Sequence, residues 1–159
     1  MASPVLQALL VADHVYQDRQ TGKHIICGIF GRVFFTPNNE LPGISDDAMA
    51  EAQEGDGSKE REFPIEQLLR AGSPFAYVSL TEIMGQKQFE LRYVDLRENA
   101  VMFRTEFNLE GKDPLATIQI TIALPQLPAP HEGVFALELL CENELLGAHR
   151  IQAVHNPKT

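Results

Sequence analysis

Tryptophan is absent from these 159 residues, tyrosine occurs three times and cysteine twice. Without tryptophan the usual core marker of an immunoglobulin domain is missing, and with only three tyrosines beside that absence the exposed aromatic platform of a sugar site is weakly supplied. Positive charge is also short. Thirteen Lys and Arg stand against 22 Asp and Glu, a formal charge of −9, which argues against nucleic acid and against anionic membrane surfaces, since both need a basic face. No run approaches the roughly eighteen apolar residues of a membrane span. The opening M-A-S-P-V-L-Q-A-L-L-V-A-D has no basic residue before its apolar patch, and Gln7 and Asp13 interrupt and end it. It reads as a strand rather than a secretory signal. Chemical fingerprints are lacking too: there is no G-x-S-x-G, P-loop or dinucleotide motif, and none of the five histidines sits in a tight metal spacing.

What is present is enough apolar material for one ordinary domain over residues 1–159, with a core that needs no disulfide or metal. Cys27 and Cys141 both fall in strand candidates and are expected as buried free thiols of a reducing, cytoplasmic compartment. A disulfide between them stays open if their strands face each other. The most apolar stretch is 24–35, H-I-I-C-G-I-F-G-R-V-F-F. Being apolar on both parities, it predicts a central strand buried on both faces. Residues 5–16 precede it, with Val5, Leu9, Val11 and Val15 on the heavier parity and so toward the core. The polar link 17–23 pairs the two as a hairpin.

Further strands are expected over 75–81, 88–95, 101–107, 117–124, 133–142 and 145–154, most with clean apolar–polar alternation. Pro125, Pro128 and Pro130 force an extended crossover between the sixth and seventh. The sum is an all-β fold, a two-layer antiparallel β-sandwich of about eight strands with Greek-key connections.

Residues 37–62 break the pattern as an acidic loop insertion of charge about −6. One short helix is expected over 46–54, capped by Ser45 and stopped at Gly55. Another is expected over 64–71, with Pro64 in its first position and Ile65, Leu68 and Leu69 on one face. Asp46, Asp47, Glu51, Glu54 and Asp56 offer oxygen ligands of the kind Ca²⁺ takes. Their spacing is not that of an EF-hand, and a helix would scatter them, so they read first as a solvated charge run. No cofactor is expected. His14 and His24 flank the first hairpin near Asp13 and Cys27, and read as ordinary strand and turn histidines rather than ligands. Asp95, Glu98, Glu106 and Glu138 read as isolated exposed charges. Carboxylate catalysis would need two of them facing each other across a cleft.

Three segments, A-L-L-V-A-D-H-V, G-K-H-I-I-C-G-I-F-G-R-V-F and G-V-F-A-L-E-L-L-C-E-N-E-L-L-G, resemble a family of small uncharacterised bacterial proteins of planctomycete type. The likeness covers most of the chain outside the acidic loop and rests on strand patterns. It implies a β-sandwich domain and carries over no catalytic residue.

Apolar side chains are also in excess on faces opposite the better core set: Leu6, Leu10, Ile26, Phe30 and Phe34, with Leu140 later in the chain. Either the loop and helix thicken the structure there, or these residues form a subunit interface. The expectation is a non-enzymatic binding or assembly module, a homodimer or other homo-oligomer, or a partner of another protein. The alternatives are a metal-dependent or carboxylate enzyme and a structural shell or scaffold subunit.

Overall fold

Period-two alternation builds nine strands among the described residues of the computed structural model, which are 2–35 and 73–155. They are β1 (Val5–Gln17), β2 (His24–Ile29), β3 (Arg32–Phe35), β4 (Phe75–Thr81), β5 (Gly85–Asp95), β6 (Ala100–Gly111), β7 (Ile118–Ala123), β8 (Gly133–Cys141) and β9 (Glu144–His155). No helix occurs among these residues. The acidic insertion 37–62 and the helices expected over 46–54 and 64–71 lie outside them.

The strands form a four-stranded sheet, β2-β1-β4-β7, and a five-stranded sheet, β3-β9-β8-β5-β6. Pairing is antiparallel except between β3 and β9, which run parallel. That pair corrects the expectation of a wholly antiparallel fold. Both sheets contribute to one core. Leu9 and Val11 of β1 and Ala76, Val78 and Leu80 of β4 meet Phe89, Leu91 and Tyr93 of β5 and Phe135, Leu137 and Leu139 of β8. Tyr93 sits between two rings, stacked on its register partner Phe103 at 5.3 Å and on the diagonal neighbour Phe135 at 5.5 Å between centroids. Stacked pairs of this kind add about 0.5–1.5 kcal/mol each beyond their burial. β5 and β6 run longer than the alternation suggested, because Gly85 pairs directly with Gly111. A Cβ on Gly111 would collide with the Ile83 carbonyl, so only glycine lets the chain pass there.

The stretch 24–35 is not one central strand. It breaks at Phe30–Gly31 into β2, an edge of one sheet, and β3, an edge of the other. Each half is fastened at the corner. The Phe30 amide donates to the Val11 carbonyl (3.1 Å), the Gln152 amide donates to the Gly31 carbonyl (2.8 Å), and His149 Nε2 donates to the Phe30 carbonyl (2.8 Å). Gly28 is needed on the way. Its φ is +73°, and a Cβ there would run into the Asp13 carboxylate. Apolar residues of both parities therefore reflect a strand changing sheets, not burial on two sides. Val33 and Phe35 pack on the core, whereas Ile25 (52%), Ile29 (55%) and Phe34 (63%) are exposed.

A second departure lies in β1. A register shift between Leu6 and Ala8 reverses the inward parity at the start of the strand. Leu6 packs on the core and lies 2.6 Å from where a Cβ of Gly147 would stand, while Val5, expected inside, is exposed. Cys27, also expected inside, is exposed. Cys141 is buried, and both thiols are free. Residues 124–132, with their three prolines, carry the chain from β7 in one sheet to β8 in the other. No helix among the described residues is long and apolar enough to cross a membrane.

Candidate functional site

The most developed polar site among the described residues lies where β5 ends. Asp95 pairs with Phe135 in register, at the rim of the core, and is only 2% exposed. Its Oδ1 accepts the amides of Arg97 (3.0 Å) and Glu98 (3.3 Å), which closes the turn into β6. Its Oδ2 lies 2.5 Å from Nε2 of His131, the last-but-one residue before β8. The other ring nitrogen, Nδ1, is 2.7 Å from the Glu132 carbonyl. The imidazole also tilts against Phe135 at 5.4 Å.

Burial pushes the Asp95 carboxyl up, but the hydrogen bond from His131 and those from the Glu98 and Arg97 amides outweigh it and hold it below the usual carboxylate value. The Glu132 carbonyl and then the Asp95 carboxylate hold the His131 imidazole above its usual value, against a smaller opposing effect of burial. Both partners of the ring are pure acceptors, so both contacts are satisfied together only when both ring nitrogens carry protons, as in an imidazolium. With both N–H groups engaged, it has no lone pair to offer a substrate. The arrangement is chemically a fastening rather than a general base.

Beside it, the Tyr93 hydroxyl is buried without a hydrogen-bond partner. Burial, and then the charge of Asp95, push its pKa up. An orphaned buried hydroxyl costs stability. Tyr93→Phe keeps the ring stack and removes the orphan, so it should raise stability by about 1 kcal/mol in urea unfolding. A loss of similar size would show that the hydroxyl is satisfied in solution.

The outer face of the five-stranded sheet carries a second polar group. Arg92 Nε donates to Glu138 Oε2 at 2.7 Å and reaches Glu90 at 4.0 Å. On the same face Gln88 donates to Glu106 at 3.1 Å, while Lys87, on the core-facing parity of β5, binds Glu142 at 3.1 Å at the end of the sheet. Gln88, Glu90, Glu106, Glu142 and Asn143 rim a shallow open hollow over Phe89. Glu90 and Glu106 are register partners on neighbouring strands, side by side rather than on facing walls. That is not the disposition two catalytic carboxylates need. Asp95 and Glu138, read from sequence as isolated exposed charges, are partnered and at least partly buried.

The histidines of the first hairpin lie apart. His14 pairs with Cys27 and stacks on Tyr16, whereas His24 pairs with Gln17. His24 instead packs against Tyr77 (5.3 Å between centroids), with Nδ1 3.2 Å from Gln119 Oε1. Gln119 Nε2 in turn donates to the Tyr77 hydroxyl at 2.6 Å. The hairpin end thus lies on the face of β4 opposite its core residues Ala76, Val78 and Leu80. Among the described residues no group of three or more His, Cys, Asp or Glu could hold a metal ion. The loop carboxylates Asp46, Asp47, Glu51, Glu54 and Asp56 lie outside those residues.

No family model matches this chain, and no curated protein is significantly similar to it.

The interface residues expected from sequence are not on one face. Leu6 and Phe30 pack on the core, Leu10 and Ile26 are half-buried, and Phe34 is exposed. The sheet change at Phe30–Gly31 puts Ile26 on one sheet and Phe34 on the other. Leu140 is buried. Sequence reasoning missed the exposed side chains of the same stretch, Ile25 and Ile29, and Tyr16 opposite Ile25. It also missed the Asp95–His131 pair, which are 36 residues apart. The one local signal was Asp95 at the head of a four-residue turn, where a side chain that accepts backbone amides is common.

Proposed function

We propose that the chain is a single two-layer β-sandwich domain with Greek-key connections, belonging to a planctomycete-type family and acting in the cytoplasm as a non-enzymatic binding or assembly module. It works as a homo-oligomer, most simply a homodimer, with another protein as the alternative partner and with neither nucleic acid nor membrane as a target. The observation that carries this reading is the exposure of Ile25, Ile29 and Phe34, together with Tyr16, along the edge strands β2 and β3. Strand β2, H-I-I-C-G-I, has neither the charged side chains nor the proline with which soluble proteins usually protect an open edge. Burying such residues against a partner is worth about 1.5–3 kcal/mol for each fully covered side chain.

Light scattering on the purified protein should give twice the 17.7 kDa chain mass. Ile29→Lys with Phe34→Lys should shift it toward the monomer without loss of folding, because both side chains are exposed in the single chain. A strict monomer at high concentration would end this reading.

A further inference from the structure

The crossover 124–132 has three prolines, which give it no amides at those positions with which to bind its surroundings. It is tied at its start by the Leu124 amide to the Pro74 carbonyl (2.9 Å), and at its end by His131. We propose that the Asp95–His131 clasp is a pH-operated latch, which holds the crossover against the end of β5 while His131 is an imidazolium and releases it when the ring loses a proton.

Geometry makes the latch depend on that proton. Asp95 Oδ1 already accepts two amides of its own turn, so the carboxylate is held in place independently of the ring. The ring must satisfy two acceptors, the Asp95 carboxylate and the Glu132 carbonyl, at 2.5 and 2.7 Å. A neutral imidazole has one N–H. It can keep one acceptor only by facing the other with a lone pair at hydrogen-bond distance, which is repulsive. One contact therefore breaks on deprotonation.

The surroundings of the ring set the direction. From β5 comes the Asp95 carboxylate. From the following turn comes Arg97, whose charge opposes protonation and whose guanidinium lies 3.5 Å from the Glu98 carboxylate. On the ring's own segment the Glu132 carbonyl accepts from it, while the Glu132 carboxylate is occupied by the His155 amide of β9 at 2.9 Å. From β8 comes only the Phe135 ring. The two acceptors prevail, so the latched ring holds its proton above the ordinary value of 6.5. The stabilisation is complete below the unfolded value and is lost as pH rises through the higher folded one. The latch is thus closed below the ordinary value of the ring and opens only as pH rises past it.

The test is amide hydrogen exchange on the full chain from pH 6 to pH 9, corrected for intrinsic rates, with the His131 ring titrated in parallel by NMR. Protection of the Leu96 and His155 amides, both hydrogen-bonded beside the latch, should fall by about tenfold for each unit by which the latched ring exceeds its free value, with the ring's own midpoint. Leu96 is informative because its amide bonds the Val134 carbonyl at 3.2 Å, beside the latch. In His131→Gln the step should vanish, leaving protection low at every pH. A flat profile in the wild-type protein overturns the latch, as does a step that survives in His131→Gln. Should that variant fail to fold, coincidence of the wild-type exchange and ring midpoints decides, and their separation overturns the proposal.

Discussion

Asp95→Ala should cost about 3–5 kcal/mol in urea unfolding at pH 6, the loss expected when one member of a buried charged pair is removed. The side chain is buried and serves three donors: the amides of Arg97 and Glu98 and the ring of His131. Truncation leaves the two amides of the turn without their acceptor and the imidazolium without its counter-charge. Asp95→Asn should cost less, because an amide oxygen can still accept from the turn. It should nevertheless abolish the acid dependence that the carboxylate brings. The Asp95 carboxyl is held below its usual value of 3.8. Its contribution is therefore complete above the unfolded value and disappears as pH falls through the lower folded one. Unfolding curves at pH 6 and pH 3 separate the wild type, which loses this contribution in acid, from both variants, which lack the carboxylate. Equal stability of wild type and Asp95→Ala at pH 6 would show that the pair holds nothing.

Phe135→Ala should be comparably severe, at about 3–5 kcal/mol, from lost burial plus the cavity left behind. Phe135 is fully buried, stacks on Tyr93 at an interplanar angle of 16°, and supports the ring of His131. Its loss leaves Tyr93 with Phe103 as its remaining stacking partner and takes the apolar floor from under the clasp. In a domain of this size the thermal midpoint should drop by about 10 °C or more. Phe34→Ala is the matching control. That ring is 63% exposed, so at low protein concentration the substitution should stay within about 0.5 kcal/mol. Similar losses at the two positions would mean that Phe34 is covered in solution.

The sequence by itself determined that the chain is built of strands and where most of them lie. Alternation at period two is a local signal, set by side chains pointing to opposite faces of one backbone, and it needs no knowledge of the partner strand. That is why 75–81 coincides with β4, and why Phe89, Leu91 and Tyr93 could be read as one face of β5 before any neighbour was known. The same locality misled at 24–35. Apolar residues on both parities look alike whether a strand is covered on two sides or turns from one sheet edge to another, and only the bonds of Phe30 to Val11 and Gly31 to Gln152 distinguish the cases. The shift between Leu6 and Ala8 reverses parity through the register of a neighbouring strand, which no pattern within β1 records. Tertiary structure alone decided the parallel pairing of β3 with β9, the exposure of Ile25 and Ile29, and the meeting of Asp95 with His131. Each of these joins residues far apart in the chain, and their distance in space is set by how two sheets fold over one core rather than by the residues between them.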